Sequence, residues 1–105
     1  VKHTDLIKTA LKTIEERGEQ YGTVENNFNR ISTIASAILD RQVTPYEIAM
    51  ILHALKLARI GAAPEHADSY VDGISYLAFA GGFVLDGTPA VTGNVTTGKD
   101  LADEF

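Results

Sequence analysis

The sequence predicts an all-α fold: a four-helix bundle-like domain over residues 1–82 and an irregular C-terminal arm over residues 83–105. Three observations point to it. Apolar residues recur three and four apart along four successive stretches, which is the period of a helix with one buried face. Cap and breaker residues punctuate those stretches at Gly18, Gly22, Thr44-Pro45, Gly61, Pro64 and Gly81-Gly82. The alternation of a strand is missing outside the tail.

The first helix starts at Thr4 or Asp5 and carries Leu6, Ile7, Ala10, Leu11 and Ile14 on one side, ending near Arg17-Gly18. The second follows the Tyr21-Gly22-Thr23 turn, with Thr23 as its cap and Phe28, Ile31, Ile34, Ala35, Ile38 and Leu39 as a wide apolar stripe, and closes at Asp40-Arg41-Gln42. The third start is the clearest: Thr44 as N-cap, Pro45 at the first helical position and Glu47 three residues on complete a capping box. That helix runs to about Ile60 and stops at Gly61. The fourth enters after Ala63-Pro64 and continues to Ala80, where Gly81-Gly82 should break it. In the arm, Phe83, Val84, Leu85 and Val91 are apolar enough to pack on a neighbouring chain, and the acidic Asp100-Leu101-Ala102-Asp103-Glu104-Phe105 reads as a last helical turn.

Composition excludes several function classes. With 9 basic against 14 acidic side chains the formal charge is -5, so no basic surface is available to displace counterions from a nucleic-acid backbone. A basic pocket for a small anion is still allowed. The absence of cysteine removes disulfides, thiolate zinc sites and cysteine nucleophiles. No apolar run approaches membrane-span length, and Val1 is not followed by the charged and apolar regions of a leader, so no membrane partner and a cytoplasmic location are expected. No G-x-S-x-G, P-loop or G-x-G-x-x-G is present.

What chemistry the sequence offers lies on the last two helices. Lys56 and Arg59 stand three apart on the third, and Asp68, Asp72 and Tyr76 stand four apart on the fourth, as a polar ridge opposite Val71, Ile74, Leu77 and Ala78. Two carboxylates in a ridge suit a hard cation, and two cations facing them suit phosphate. The same four charges would equally form ion pairs across an antiparallel hairpin, Arg59 with Asp68 near the turn and Lys56 with Asp72 a turn deeper. Glu47 is accounted for by the capping box, and neither His53 nor His66 has ligand partners at metal spacing. Tyr21 and Phe28 are candidates to stack on a base, Phe28 being equally a core residue, and Asn26 or Asn27 to read a base edge.

The stretches Glu16-Arg17, Tyr21-Gly22 and Asn27-Phe28, then Lys56-Leu57-Ala58-Arg59, then Asp68 to Asp72 with Tyr76, resemble small phage and prophage proteins related to the MazG-like all-α NTP pyrophosphohydrolases. The resemblance spans roughly residues 15–80. It implies a four-helix unit, usually dimeric or tetrameric, in which an ExxEE helix and a later ExxD helix hold magnesium on the polyphosphate of a nucleotide. Asp72 falls on the last aspartate of that motif and Asp68 on the acid before it. The ExxEE half departs, since Glu47 is followed by Met50 and Ile51. On this resemblance Asp68 and Asp72 would be catalytic and metal-binding, Glu16 and Glu19 would complete the magnesium set, and Lys56, Arg59, Arg17, Tyr21, Asn27 and Tyr76 would hold the substrate. The implied reaction is NTP to NMP and pyrophosphate, in the cytoplasm of a bacterial host. The missing acids leave open a non-catalytic protein on the same scaffold, one that binds a nucleotide or another phosphorylated small molecule or acts as a helical adaptor. A homo-oligomer is expected in each case.

Overall fold

The computed structural model describes residues 2–91, except for the side chains of Gln20 and Tyr21. Within them are four helices, α1 (His3–Tyr21), α2 (Val24–Leu39), α3 (Pro45–Ala62) and α4 (Ala67–Leu85), and no strand. The fold is all-α. The terminal turn expected at residues 100–105 lies outside the described residues.

Two of the helix starts form as the sequence chemistry demands. The Thr23 hydroxyl accepts from the Asn26 N–H (3.1 Å) at the head of α2. At α3 the capping box closes in both directions, with Glu47 N–H donating to Thr44 Oγ1 (3.1 Å) and Thr44 N–H to Glu47 Oε1 (3.0 Å). Thr44 Oγ1 also donates to the Ala90 carbonyl (2.8 Å), tying the segment after α4 back to the start of α3. Replacing Thr44 by alanine should therefore cost about 1–2 kcal/mol, while Glu47→Gln should be mild because an amide also completes the box. Chemical denaturation of the two variants checks both values.

Several boundaries differ from the sequence expectation. α1 begins at His3, its first turn held by Asp5 accepting from the Lys2 N–H. It continues through Gly18, because a single interior glycine costs only about 1 kcal/mol, and the chain turns at Gly22, whose φ of 82° lies where glycine is favoured. α4 likewise passes through Gly81-Gly82 to Leu85. Ala80 and Phe83 on either side of that pair are buried, so packing outweighs the weak propensity. The helical unit thus includes residues 83–85, and Phe83 belongs to the core of its own chain.

α3 and α4 form the antiparallel hairpin at the centre, with α1 against α4 and α2 against α3. The core collects Phe28, Val43, Ile48, Ala49, Ala80 and Phe83. Phe28 meets Phe79 and Phe83 edge to face, with ring centroids 5.5 and 5.3 Å apart. Ser32 and Ser36 on α2 bond the backbone of Val43, fixing the link between α2 and α3. The stripe foreseen on α2 is only half used. Phe28 is buried and Ile31 and Ala35 partly so, whereas Ile34, Leu39 and Ile38 (75%) remain exposed.

Candidate functional site

Lys56 and Asp72 meet across the central hairpin, Nζ to Oδ2 at 3.0 Å, with side chains only 13% and 18% exposed. This contact turns α4. Asp72 and Tyr76 face inward, and Leu77 and Ala78 are exposed, so the ridge opposite Leu77 and Ala78 is not the solvent side of the helix. A neighbouring bond stiffens the same region: His53 Nδ1–H donates to the Gly73 carbonyl at 2.8 Å. A methyl group at Gly73 would lie 3.7 Å from Lys56 Cβ, in ordinary contact, so α3 and α4 approach closely here.

Asp72 and Tyr76 border a cavity of about 170 Å³ to which all four helices contribute. From α1 come Thr13, Ile14, Arg17 and Gly18, from the following turn Gly22 and Thr23, and from α2 Val24, Asn27, Phe28 and Ile31. Leu52 on α3 and Asp72, Ser75, Tyr76 and Phe79 on α4 close it. On α2 and α4 the lining residues stand at i, i+3, i+4 and i+7, one stripe of each helix, and each stripe sets one or more polar groups among aromatic and aliphatic ones. Arg17 and Asn27 are exposed, and Phe28, Phe79 and Tyr76 are wholly or partly sheltered. The result is an apolar, aromatic interior with a cation and an amide exposed along its lining. Ser75 is buried and its hydroxyl is used by the Val71 carbonyl (3.0 Å), so its role is local.

Of the residues singled out from sequence, Arg17, Asn27, Asp72 and Tyr76 come together here, and Lys56 stands behind Asp72. Arg59 and Asp68 do not join them. Both are exposed, and no ion pair links them. They sit in the last turn of α3 and the first turn of α4, where their charges complement the helix dipoles. Glu16 is exposed and engages Lys12 at 3.9 Å, and Glu19 is exposed. The Tyr21 side chain lies outside the described residues. Among the described residues no three of His, Asp and Glu assemble as a set that could hold a metal ion. Donors for magnesium therefore do not converge around Asp72, whose carboxylate is matched by Lys56.

Sequence reasoning missed Thr13, Ile14, Ser75 and Phe79, although the spacing of 72, 75, 76 and 79 was there to be read. The misleading signal was Leu77-Ala78, which looked like the buried side of α4. No helix among the described residues is long and apolar enough to cross a membrane.

Comparison with known proteins adds a family. Over 61 residues the chain is 30% identical to "Gene 55 protein" of Mycobacterium phage D29, an alignment covering 58% of this chain and 40% of that protein. The chain thus spans less than half the length of this phage relative. No solved structure matches it. Residues 5–83, from the first turn of α1 to the core residue Phe83, match the family described as Domain of unknown function (DUF6378). Since the match takes in nearly the whole helical unit, the chain belongs to the DUF6378 family, and over part of its length it is similar to a phage protein.

Proposed function

We propose that this protein binds a phosphorylated small molecule bearing a flat ring, with a nucleotide as the fitting chemistry, and that it holds this ligand without hydrolysing it. The observation that supports the reading is the convergence of Arg17, Asn27, Asp72 and Tyr76 on one aromatic cavity. At about 170 Å³ the cavity is smaller than the roughly 300 Å³ and more that whole drug-sized ligands occupy, so it admits one ring and leaves charged groups outside. Phe28, Phe79 and Tyr76 offer the ring apolar contact. The exposed guanidinium of Arg17 is suited to phosphate oxygens, with its planar fork of donors. Lys56 occupies Oδ2 of Asp72, which leaves Oδ1 to accept an N–H from the ring edge, while Asn27 can donate or accept.

A second reading, an NTP pyrophosphohydrolase dependent on magnesium, draws support from the MazG-like pattern of Asp68 and Asp72. It needs further carboxylates beside Asp72, and among the described residues none joins it in a set that could hold the metal. Calorimetry with nucleoside mono-, di- and triphosphates, with and without magnesium, paired with a pyrophosphate-release assay, separates the two. The binding reading expects saturable heat without magnesium, no pyrophosphate, and weakening on the order of tenfold for Arg17→Ala. Magnesium-dependent release of pyrophosphate that Asp72→Asn abolishes would establish the hydrolase instead.

A further inference from the structure

The polar groups along the cavity differ in hydrogen-bond sense, and that difference bears on which ring it takes. Among the described lining residues, the Ser75 and Thr13 hydroxyls donate to the carbonyls of Val71 (3.0 Å) and Thr9 (2.8 Å), which leaves only lone pairs for a ligand. The Asn27 amide and the Tyr76 hydroxyl each hold a donor and an acceptor, so they suit a ring edge of either sense. Arg17 only donates, and its exposed guanidinium is the group suited to phosphate. Asp72 is the strongest group of fixed sense. As a carboxylate facing the Lys56 ammonium at 3.0 Å it accepts and does not donate, and at 18% exposure little water competes for its second oxygen.

Size is the second constraint. An engineered apolar cavity of roughly 150 Å³ holds one benzene ring, and this cavity measures about 170 Å³, enough for a single six-membered ring and too small for a fused purine. Resting on the reading of this cavity as a nucleotide site, we propose that the ring it takes is cytosine and that Asp72 is the residue that selects it over uracil and thymine. The exocyclic amino group of cytosine donates to Oδ1 of Asp72, while Lys56 holds Oδ2 from behind. Uracil and thymine present a carbonyl oxygen where cytosine presents that amino group. Their ring N–H lies between two carbonyls, so a carboxylate that accepts from it is crowded by acceptor oxygens. One buried polar group is then left unpaired, which is how a site rejects a ligand of similar shape.

The Lys56 contact also sets what a substitution does. In Asp72→Asn the amide oxygen remains the acceptor for Lys56 Nζ, so the amide NH2 is the group left for the ring, and the preference should turn from cytosine to uracil. Calorimetry of the full chain with the monophosphates of cytidine, uridine, adenosine and guanosine tests this. A fifth probe is pyrimidinone riboside monophosphate, which is cytidine monophosphate without its amino group. The wild type is expected to bind cytidine monophosphate on the order of tenfold or more tighter than each of the other four. Asp72→Asn, checked for wild-type helicity by circular dichroism, should bind uridine monophosphate the tighter of the two pyrimidines. A wild type that binds uridine monophosphate or a purine nucleotide as tightly as cytidine monophosphate overturns this assignment and leaves the nucleotide reading standing. Binding of the pyrimidinone at full strength overturns it too, and that measurement uses wild-type protein, so it decides even where the variant loses its fold. An unchanged preference for cytidine monophosphate in folded Asp72→Asn removes Asp72 as the selector. Absence of binding by every probe overturns both this assignment and the nucleotide reading.

Discussion

Phe28→Ala should lower stability by about 3–5 kcal/mol, the range for deleting a buried aromatic ring from a packed core. Phe28 is 4% exposed and joins α2 to α4 through both Phe79 and Phe83. A domain of this size is usually stable by about 5–15 kcal/mol, so the variant would lie close to the folding threshold. Phe28→Leu keeps most of the volume and should recover more than half of the loss. Urea unfolding followed by circular dichroism reads both. A loss below about 1 kcal/mol for the alanine variant would mean that α2 is not anchored as described.

The second large effect is expected at the Lys56 and Asp72 pair. Lys56→Met keeps the stem that packs along α3 but leaves the Asp72 carboxylate without its counter-charge at 18% exposure. Removing one member of a fully buried pair costs about 3–5 kcal/mol, and the residual water access here reduces that to roughly 2–3 kcal/mol. Asp72→Asn should cost less, since the amide oxygen still accepts from Nζ. The combination of Lys56→Met with Asp72→Asn should be less damaging than the sum of the single changes, by about 1–2 kcal/mol in a double-mutant cycle. Additivity would show that the two side chains do not act on each other in solution.

The sequence made the four helices legible because period and capping agree, most plainly at Thr44-Pro45 and Glu47. Local signals failed where packing overrode them. Gly18 and Gly81-Gly82 read as stops, yet helix runs through both: a single interior glycine costs α1 only about 1 kcal/mol, and Ala80 and Phe83 hold the end of α4 in the core. The Lys56 and Asp72 contact was legible from the short link between α3 and α4, which forces those helices to pair. Arg59 and Asp68, one turn nearer the link, were expected to pair as well and do not, since both lie on the solvent side. The orientation of α4 was not legible: the stripe at 72, 75, 76 and 79 competes with Ile74, Leu77 and Ala78, and only an oppositely charged Lys56 on the next helix decides which turns inward. Apolar residues on every side of α3 and α4 blur the pattern further.

The central claim is that a phosphorylated ring ligand enters the cavity lined by all four helices, and amide chemical shifts of the labelled full chain, titrated with nucleoside monophosphates in turn, test it most directly. The account expects saturable shifts for at least one nucleotide, concentrated at residues 13–31 and 72–79, with Arg59 and Asp68 unchanged. Shifts centred on Arg59 and Asp68, or none for any nucleotide at saturating concentration, would contradict it.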